Sequence, residues 1–196
     1  MQDVNIDNLV RHFRQKIHLG ESEIDELTAR VKIKKLRRRQ YLLQEGDICR
    51  HYNFIQKGCL RMYFVDEKGT ENILQFATED WWISDIGSFH SELPSRLNID
   101  ALEATEVLQI KKTDLLFLYE NYPQFDRYFR VLTENAFIKM QDRVIQNISS
   151  TAEERYLSFL DNYPNLFNRL SQVQIAAFIG VTPEFLSKVR KNLRTK

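Results

Sequence analysis

Three features of the 196-residue chain predict an α+β fold. The hydrophobic period changes near residue 40, it changes back after Thr113, and 26 residues from Gln124 to Ser149 run without Gly or Pro. The expected order is two short helices, an antiparallel β-barrel or jelly roll, a long helix, and a closing group of short helices around a tight turn. With 43% hydrophobic and 12% aromatic residues and only six Gly and four Pro, the composition excludes disorder, collagen and a linker-dominated chain.

The first helices follow from apolar residues at helical spacing: Val4, Leu9, Phe13 and Ile17, then Ile24, Leu27 and Val31. Leu19-Gly20-Glu21-Ser22 separates them. Ser22 is the expected N-cap of the second, with Glu23, Asp25 and Glu26 at the positive end of its dipole.

Strands are expected at Tyr52–Gln56, Cys59–Val65, Asn72–Phe76, Asn98–Ala104 and Val107–Lys111. Lys57-Gly58 and Asp66-Glu67-Lys68-Gly69 read as hairpin turns between them. In the second strand Leu60, Met62 and Phe64 alternate with Cys59, Arg61 and Tyr63, which predicts a strand with one face more buried. Short strands at regular spacing suggest a closed barrel or jelly roll. Trp81, Trp82 and Phe89, near the end of this series, read as core, with a pocket lining as the alternative.

Thr113 is the expected cap of a short helix, Asp114–Tyr122, ended by Pro123. The long helix carries Phe125, Phe129, Leu132, Ala136, Met140, Val144 and Ile148 at intervals of three or four. At ~1.5 Å per residue it is about 39 Å long, more than a small barrel covers. The stripe either crosses its own barrel or forms a homodimer seam, and spacing alone does not choose. Ser150-Thr151 then caps a helix Ala152–Asn162, with Glu153 and Glu154 in its first turn.

Formal net charge is +1, but the charges are segregated. Arg30 to Arg39 holds seven basic residues and no acid, Glu45 to Asp126 is net −8, and Asn168 to Lys196 is net +5. A uniformly basic, nonspecific nucleic-acid binder is excluded, and a directed one is not. The 30–39 run, interrupted by Val31, Ile33 and Leu36, reads as a solvated edge, with an auxiliary role toward DNA or RNA polymerase as its alternative. Cys49 and Cys59 are too few for a disulfide scaffold or a four-ligand metal site, and the four His form no HxH or HExxH pattern, so no metal site is expected. Without a signal peptide or an apolar run of ~18 residues, the expected location is the cytoplasm, with no membrane contact.

The most specific signal lies in Leu170–Leu193. Ser171 can cap a helix through Ile179, Gly180 can end it, and Thr182-Pro183-Glu184 combines a capping hydroxyl, a Pro at the first position and an acid in the first turn. Ala176, four residues before Gly180, permits close crossing. Ile175, Ile179, Val181, Leu186 and Val189 supply a shared core. This is the helix-turn-helix pattern. Phe185, Leu186, Val189 and Leu193 are expected on the inner side of the second helix, leaving Glu184, Ser187, Lys188 and Lys191 outward. Glu184, Ser187 and Lys188 are candidate base-reading residues; Thr182, Arg190, Lys191 and Arg194 are candidate phosphate contacts.

A helical lead, a short-stranded barrel containing Gln44-Glu45-Gly46-Asp47, a long helix and a terminal helix-turn-helix together resemble the Crp/Fnr family, over nearly the whole chain. Glu184-Phe185-Leu186-Ser187-Lys188 is similar to the family's Glu-x-x-Ser-Arg element, with Lys188 in place of Arg. The resemblance implies a homodimeric transcription regulator, not an enzyme, with double-stranded DNA, a second copy and RNA polymerase as partners. It also implies that Phe125, Phe129, Leu132, Ala136, Met140 and Val144 form a dimer seam. Domain limits are then 1–123 for a cyclic nucleotide-binding-like sensor, 124–149 for the dimerisation helix and 150–196 for the helix-turn-helix, with no extended C-terminal wing expected.

The sensor departs from the pattern. Where cyclic-nucleotide binders carry a Gly-Glu turn and, about ten residues on, Arg-Ser or Arg-Thr, this chain has Ser84-Asp85 with Gly87, then Arg96-Leu97. Ser84, Asp85, Gly87 and Arg96 are the candidate ligand pocket, cyclic AMP is not carried over, and any small-molecule effector is unidentified. The cysteine cluster of the iron–sulfur members is absent. Two rival readings remain: a sensing barrel that acts through protein partners without sequence-specific DNA binding, and a cupin-like enzyme, against which the lack of closely spaced His and Glu ligands counts.

Overall fold

The computed structural model describes residues 5–194. In chain order the elements are α1 (Asp7–Arg14), α2 (Glu21–Arg30), β1 (Val31–Leu36), β2 (Tyr41–Leu43), β3 (His51–Lys57), β4 (Leu60–Val65), β5 (Glu71–Ala77), β6 (Trp82–Ile83), α3 (Ile86–Ser91), β7 (Asn98–Ala101), β8 (Thr105–Lys111), α4 (Lys112–Asn121), α5 (Pro123–Ser149), α6 (Ala152–Asn162), α7 (Gln172–Ile179) and α8 (Pro183–Arg194). The eight strands form two four-stranded sheets, ordered β1-β8-β3-β6 and β2-β7-β4-β5, and β8 pairs antiparallel with both β1 and β3. The α+β class and its barrel are therefore as expected. The chain divides into two compact units: one holds residues through Phe64 and Gln75–Thr133, the other Val65–Leu74 and everything from Glu134. This division cuts α5 near its middle and assigns the β4–β5 turn to the C-terminal unit, whereas the expected limits lay at 123 and 149.

Local chemistry explains most element ends, and some expected caps are replaced. α2 starts after Gly20, not Ser22. Glu23, third in the helix, folds its carboxylate back over that end, and backbone N–H groups there hold its pKa below the usual carboxylate range. A Cβ on Gly20 would lie 2.7 Å from the flexible end of that carboxylate, which could shift aside. Thr113 is not a cap either: α4 begins at Lys112, directly off the end of β8. The basic run is the end of α2, the edge strand β1 and an Arg37–Arg39 turn whose last residue has φ 65°. In β4 burial does not follow the expected single face: Leu60, Met62 and Tyr63 are buried, Arg61 nearly so, and Phe64 is exposed. Arg61 can be covered because it meets Asp100 on β7 through two bonds, Nε to Oδ1 at 2.7 Å and Nη2 to Oδ2 at 3.1 Å.

The core of the first unit is an aromatic cluster. Phe13 from α1 lies 4.3 Å from Tyr128 and 5.4 Å from Phe125 between ring centres, and Trp82 lies 5.1 Å from Phe129 and 5.2 Å from Phe54. The Trp82 indole N–H donates to the Tyr128 hydroxyl at 2.8 Å, so the most polar atoms of the cluster satisfy each other. Phe125 and Phe129 are 0% and 4% exposed. These two expected seam residues therefore belong to the chain's own core: large rings this close to other rings are covered on every side and have no face left for a second chain.

Two predictions follow from this packing. Tyr128→Phe leaves the Trp82 N–H buried without an acceptor and should lower stability by about 1–3 kcal/mol, measured by urea unfolding. Burial also pushes the His12 imidazole below its ordinary pKa, opposed by Asp80 and reinforced by Lys16. His51 is lowered by burial and by Lys34, Lys111, Lys32 and Arg50. The unfolded chain then binds more protons than the folded one between the depressed values and the ordinary 6.5. Stability should be full above that value and decline as the pH falls below it. A thermal midpoint that drops from about pH 7.5 to about pH 5.5, and drops less in His12→Gln, is the expected outcome.

Candidate nucleic-acid interface

The helix-turn-helix is built by consecutive caps. Thr151 accepts from the Glu154 N–H while the Glu154 carboxylate accepts from the Thr151 N–H at 2.7 Å, starting α6. Ser171 and Gln174 repeat the device at the start of α7, with the Ser171 N–H donating to Gln174 Oε1 at 2.8 Å. Gly180 ends α7 in the left-handed region at φ 72°, where a side chain would be strained. Thr182 then accepts from the Phe185 N–H at 3.2 Å and starts α8. Each reciprocal cap satisfies two backbone donors within four residues, so these boundaries are set by sequence neighbours alone.

Packing then separates inner from outer faces. Ile175, Ala176, Ile179, Leu186 and Val189 are buried, and Val181 is half-buried at the turn. Phe185, expected inside, is 49% exposed: at about 100° per residue it stands at the edge of the face that Leu186 and Val189 bury. Outward with it lie Thr182, Glu184, Ser187, Lys188 and Lys191. The Ser187 hydroxyl is within hydrogen-bond reach of the Pro183 carbonyl at 3.0 Å and of Gln172 Oε1 at 3.3 Å, which ties α8 to the start of α7. Arg190 is half-buried, its guanidinium carbon 5.3 Å from the Phe167 ring centre. The side chain of Arg194 lies outside the described residues.

The module is pinned to its neighbours by arginine. Arg155 on α6 donates to the Ile179 carbonyl at 2.9 Å and the Ser150 carbonyl at 2.8 Å, and Arg143 on α5 donates to the Phe178 carbonyl at 2.9 Å. Both reach the last carbonyls of α7, the negative end of its dipole. Neither was among the sequence candidates, but Arg143 left a trace: no acid stands three or four residues from it on either side.

On the second half of α5 the expected seam residues Ala136, Met140 and Val144 are exposed, and Leu132 is half-buried. Phe137, Ile138, Ile145 and Ile148 are exposed beside them, at 62%, 53%, 60% and 81%. Phe137, Ile138 and Ile145 were not among the candidates, although Ile138 and Ile145 stand seven residues apart on one face.

The candidate ligand residues form a hydrogen-bonded turn. Ser84 is buried, and its hydroxyl oxygen accepts from the Asn53 N–H at 3.1 Å and lies 2.6 Å from the Ile83 carbonyl. Asp85 caps α3 by accepting from the Ser88 N–H at 3.2 Å and accepts from the Ser95 hydroxyl at 2.6 Å. Gly87 lies within this turn, where a Cβ would come 3.3 Å from Asp85 Oδ1, and Arg96 is exposed. A carboxylate at the start of α3 repels a phosphate, and the Ser84 hydroxyl is already engaged, so these residues do not fit a cyclic nucleotide. Two buried thiols, Cys49 and Cys59, likewise cannot supply the ligands of an iron–sulfur cluster.

Residues 33–122 match the family described as the cyclic nucleotide-binding domain. The fumarate and nitrate reduction regulatory protein of Vibrio cholerae is 26% identical over 200 residues, covering 96% of this chain and 78% of that protein. Among solved structures, FixK2 from Bradyrhizobium japonicum superposes with a TM-score of 0.75 at 20% identity, over 84% of this chain and 85% of that one. The c-di-GMP responsive global regulator CLP of Xanthomonas campestris gives 0.73 at 14% identity, over 90% and 92%. With a barrel, a 27-residue helix and a capped helix-turn-helix in that order, the chain carries a cyclic nucleotide-binding domain at residues 33–122 and is similar over nearly its whole length to transcriptional regulators of the Crp/Fnr family.

Proposed function

We propose that this regulator acts in the cytoplasm as a homodimer whose two α8 helices enter successive major grooves of a pseudo-palindromic DNA site. The observation that carries the reading is the outer face of α8: Glu184, Ser187, Lys188 and Lys191 lie exposed on a helix whose opposite face is locked by Leu186 and Val189. Glu184 accepts from cytosine N4, Lys188 donates to guanine O6 and N7, and the lone pairs of Ser187 remain open to a base donor. Phe185, half-exposed between them, suits the methyl of thymine. Thr182, Arg190, Lys191 and Arg194 hold phosphates, where charge supplies affinity without sequence information. Because lysine lacks the planar fork of arginine, Lys188 orients a guanine less tightly than the family's arginine would.

The second copy follows from the exposed apolar residues of α5. From Phe137 to Ile148 six large side chains, each at least half exposed, extend along about 17 Å of helix. Burying them in both copies contributes on the order of 10 kcal/mol, comparable with the association penalty of about 4–15 kcal/mol. Single losses along this arc therefore decide whether the dimer persists. RNA polymerase is the expected further partner, an effector for the barrel stays unassigned, and no catalytic role is proposed.

Glu184→Ala and Lys188→Ala should each remove about 1–3 kcal/mol of discrimination at one base pair, read by selection from a random duplex library. Arg190→Ala should instead weaken all sequences alike and reduce the salt slope by roughly one. Wild-type binding that ignores sequence would reject the assignment. Val144→Glu should convert the dimer to a monomer by light scattering and abolish tight binding to the two-half-site duplex; a dimer that persists would place the seam elsewhere.

A further inference from the structure

The long helix carries a half-buried cation that neither the DNA-facing surface nor the apolar arc uses. Arg143 donates through Nη1 to the Leu74 carbonyl and through Nη2 to the Ile73 carbonyl at 2.7 Å and the Phe178 carbonyl at 2.9 Å. Its guanidinium carbon lies 4.1 Å from the centre of the Phe178 ring, which itself meets Tyr163 edge-on at 5.5 Å and Phe159 at 5.6 Å. Residues of β5, α6 and α7 thus close around one side chain of α5. Among the described residues no carboxylate pairs with it. Burial lowers its pKa, as it must when a charge leaves water without a counter-ion. Such a group is tolerated only if its donors are matched, and here three main-chain carbonyls and a ring face match them. Main-chain acceptors cannot rotate away as side chains do, so the guanidinium fixes three backbone segments against one another.

We propose that Arg143 is a positioning residue that locks the α7–α8 module to both α5 and strand β5, so that backbone displacement at Ile73–Leu74 alters how the two readout helices are spaced. Strand β5 continues from Leu74 into Gln75–Ala77 of the first compact unit, and a shift along that strand reaches the Arg143 acceptors directly. The proposal rests on the homodimeric DNA-binding reading for its consequence, but the lock itself does not.

The test uses the full chain as wild type, Arg143→Gln and Arg143→Lys. The first measurement is hydrogen exchange without DNA. Arg143→Gln should speed exchange about tenfold in both 66–74 and 171–181 and leave 51–57 unchanged, with Arg143→Lys in between. Unchanged exchange in either of the first two segments, or acceleration in all three, overturns the lock. The second measurement compares duplexes selected by the wild type with single half-sites. Arg143→Gln should weaken the two-half-site duplex about tenfold, alter half-site binding less than twofold and accept a wider range of half-site spacings. Equal loss on both duplexes, or an unchanged spacing preference, overturns the link to spacing. A wild type that selects no duplex rejects the DNA-binding reading instead and leaves the exchange result to judge the lock.

Discussion

The molecule is organised by the double allegiance of α5. A 27-residue helix spans about 40 Å, and no barrel of eight short strands covers that length. Its first turns are tied down by rings: Phe125, Tyr128 and Phe129 interlock with Phe13, Tyr52 and Trp82, and the Trp82–Tyr128 hydrogen bond removes the polar penalty of burying them. With the near end held this firmly, the far end cannot retract to cover its own apolar residues. Those residues stay exposed, and the remaining side of the helix holds the C-terminal module through Arg143 and through Gln146, whose amide donates to Ser158 at 3.1 Å.

The C-terminal module depends on a different kind of control. Its helices are short, and α7 has only eight residues, too few to persist alone in water. Reciprocal caps at Thr151/Glu154 and Ser171/Gln174, the left-handed Gly180 and the Thr182 cap set where each helix begins and ends. Burial of Ile175, Ala176, Ile179, Leu186 and Val189 then holds them together. Rigid packing on one side of α8 keeps the opposite side presented in a defined register, which base reading requires and a loose charged helix would not provide.

The barrel retains the family's architecture while changing its chemistry. Asp85 and Ser95 join across the turn that follows β6, Ser88 donates to the Leu93 carbonyl at 2.6 Å, and the Cys49 N–H donates to Ser88 at 2.9 Å. These bonds exhaust the turn's polar groups on one another. The C-terminal module is held instead by main-chain acceptors on β5 and α7 that meet Arg143 of α5.

Sequence alone determined the features that depend on neighbours within a few residues. The caps of α6, α7 and α8, the glycine turn, the hairpin turn at 66–69 and the switch of period into and out of the strands are local, and so is the exposed quartet Glu184, Ser187, Lys188 and Lys191 on α8. Lys57-Gly58, also expected as a hairpin turn, instead links strands of different sheets, because β3 pairs with β8 and β4 with β7. Tertiary structure decided what depends on distant partners. A helical stripe does not say which of its residues face which neighbour, so Phe125 and Phe129 looked like continuations of the seam until Phe13 and Trp82, far away in the chain, were found against them. Phe185 was likewise assigned inward by its angle on the helix, although it stands at the edge of the face that Leu186 and Val189 bury. Arg143 was silent for the same reason: its acceptors are carbonyls at residues 73, 74 and 178, and main-chain acceptors carry no side-chain signature.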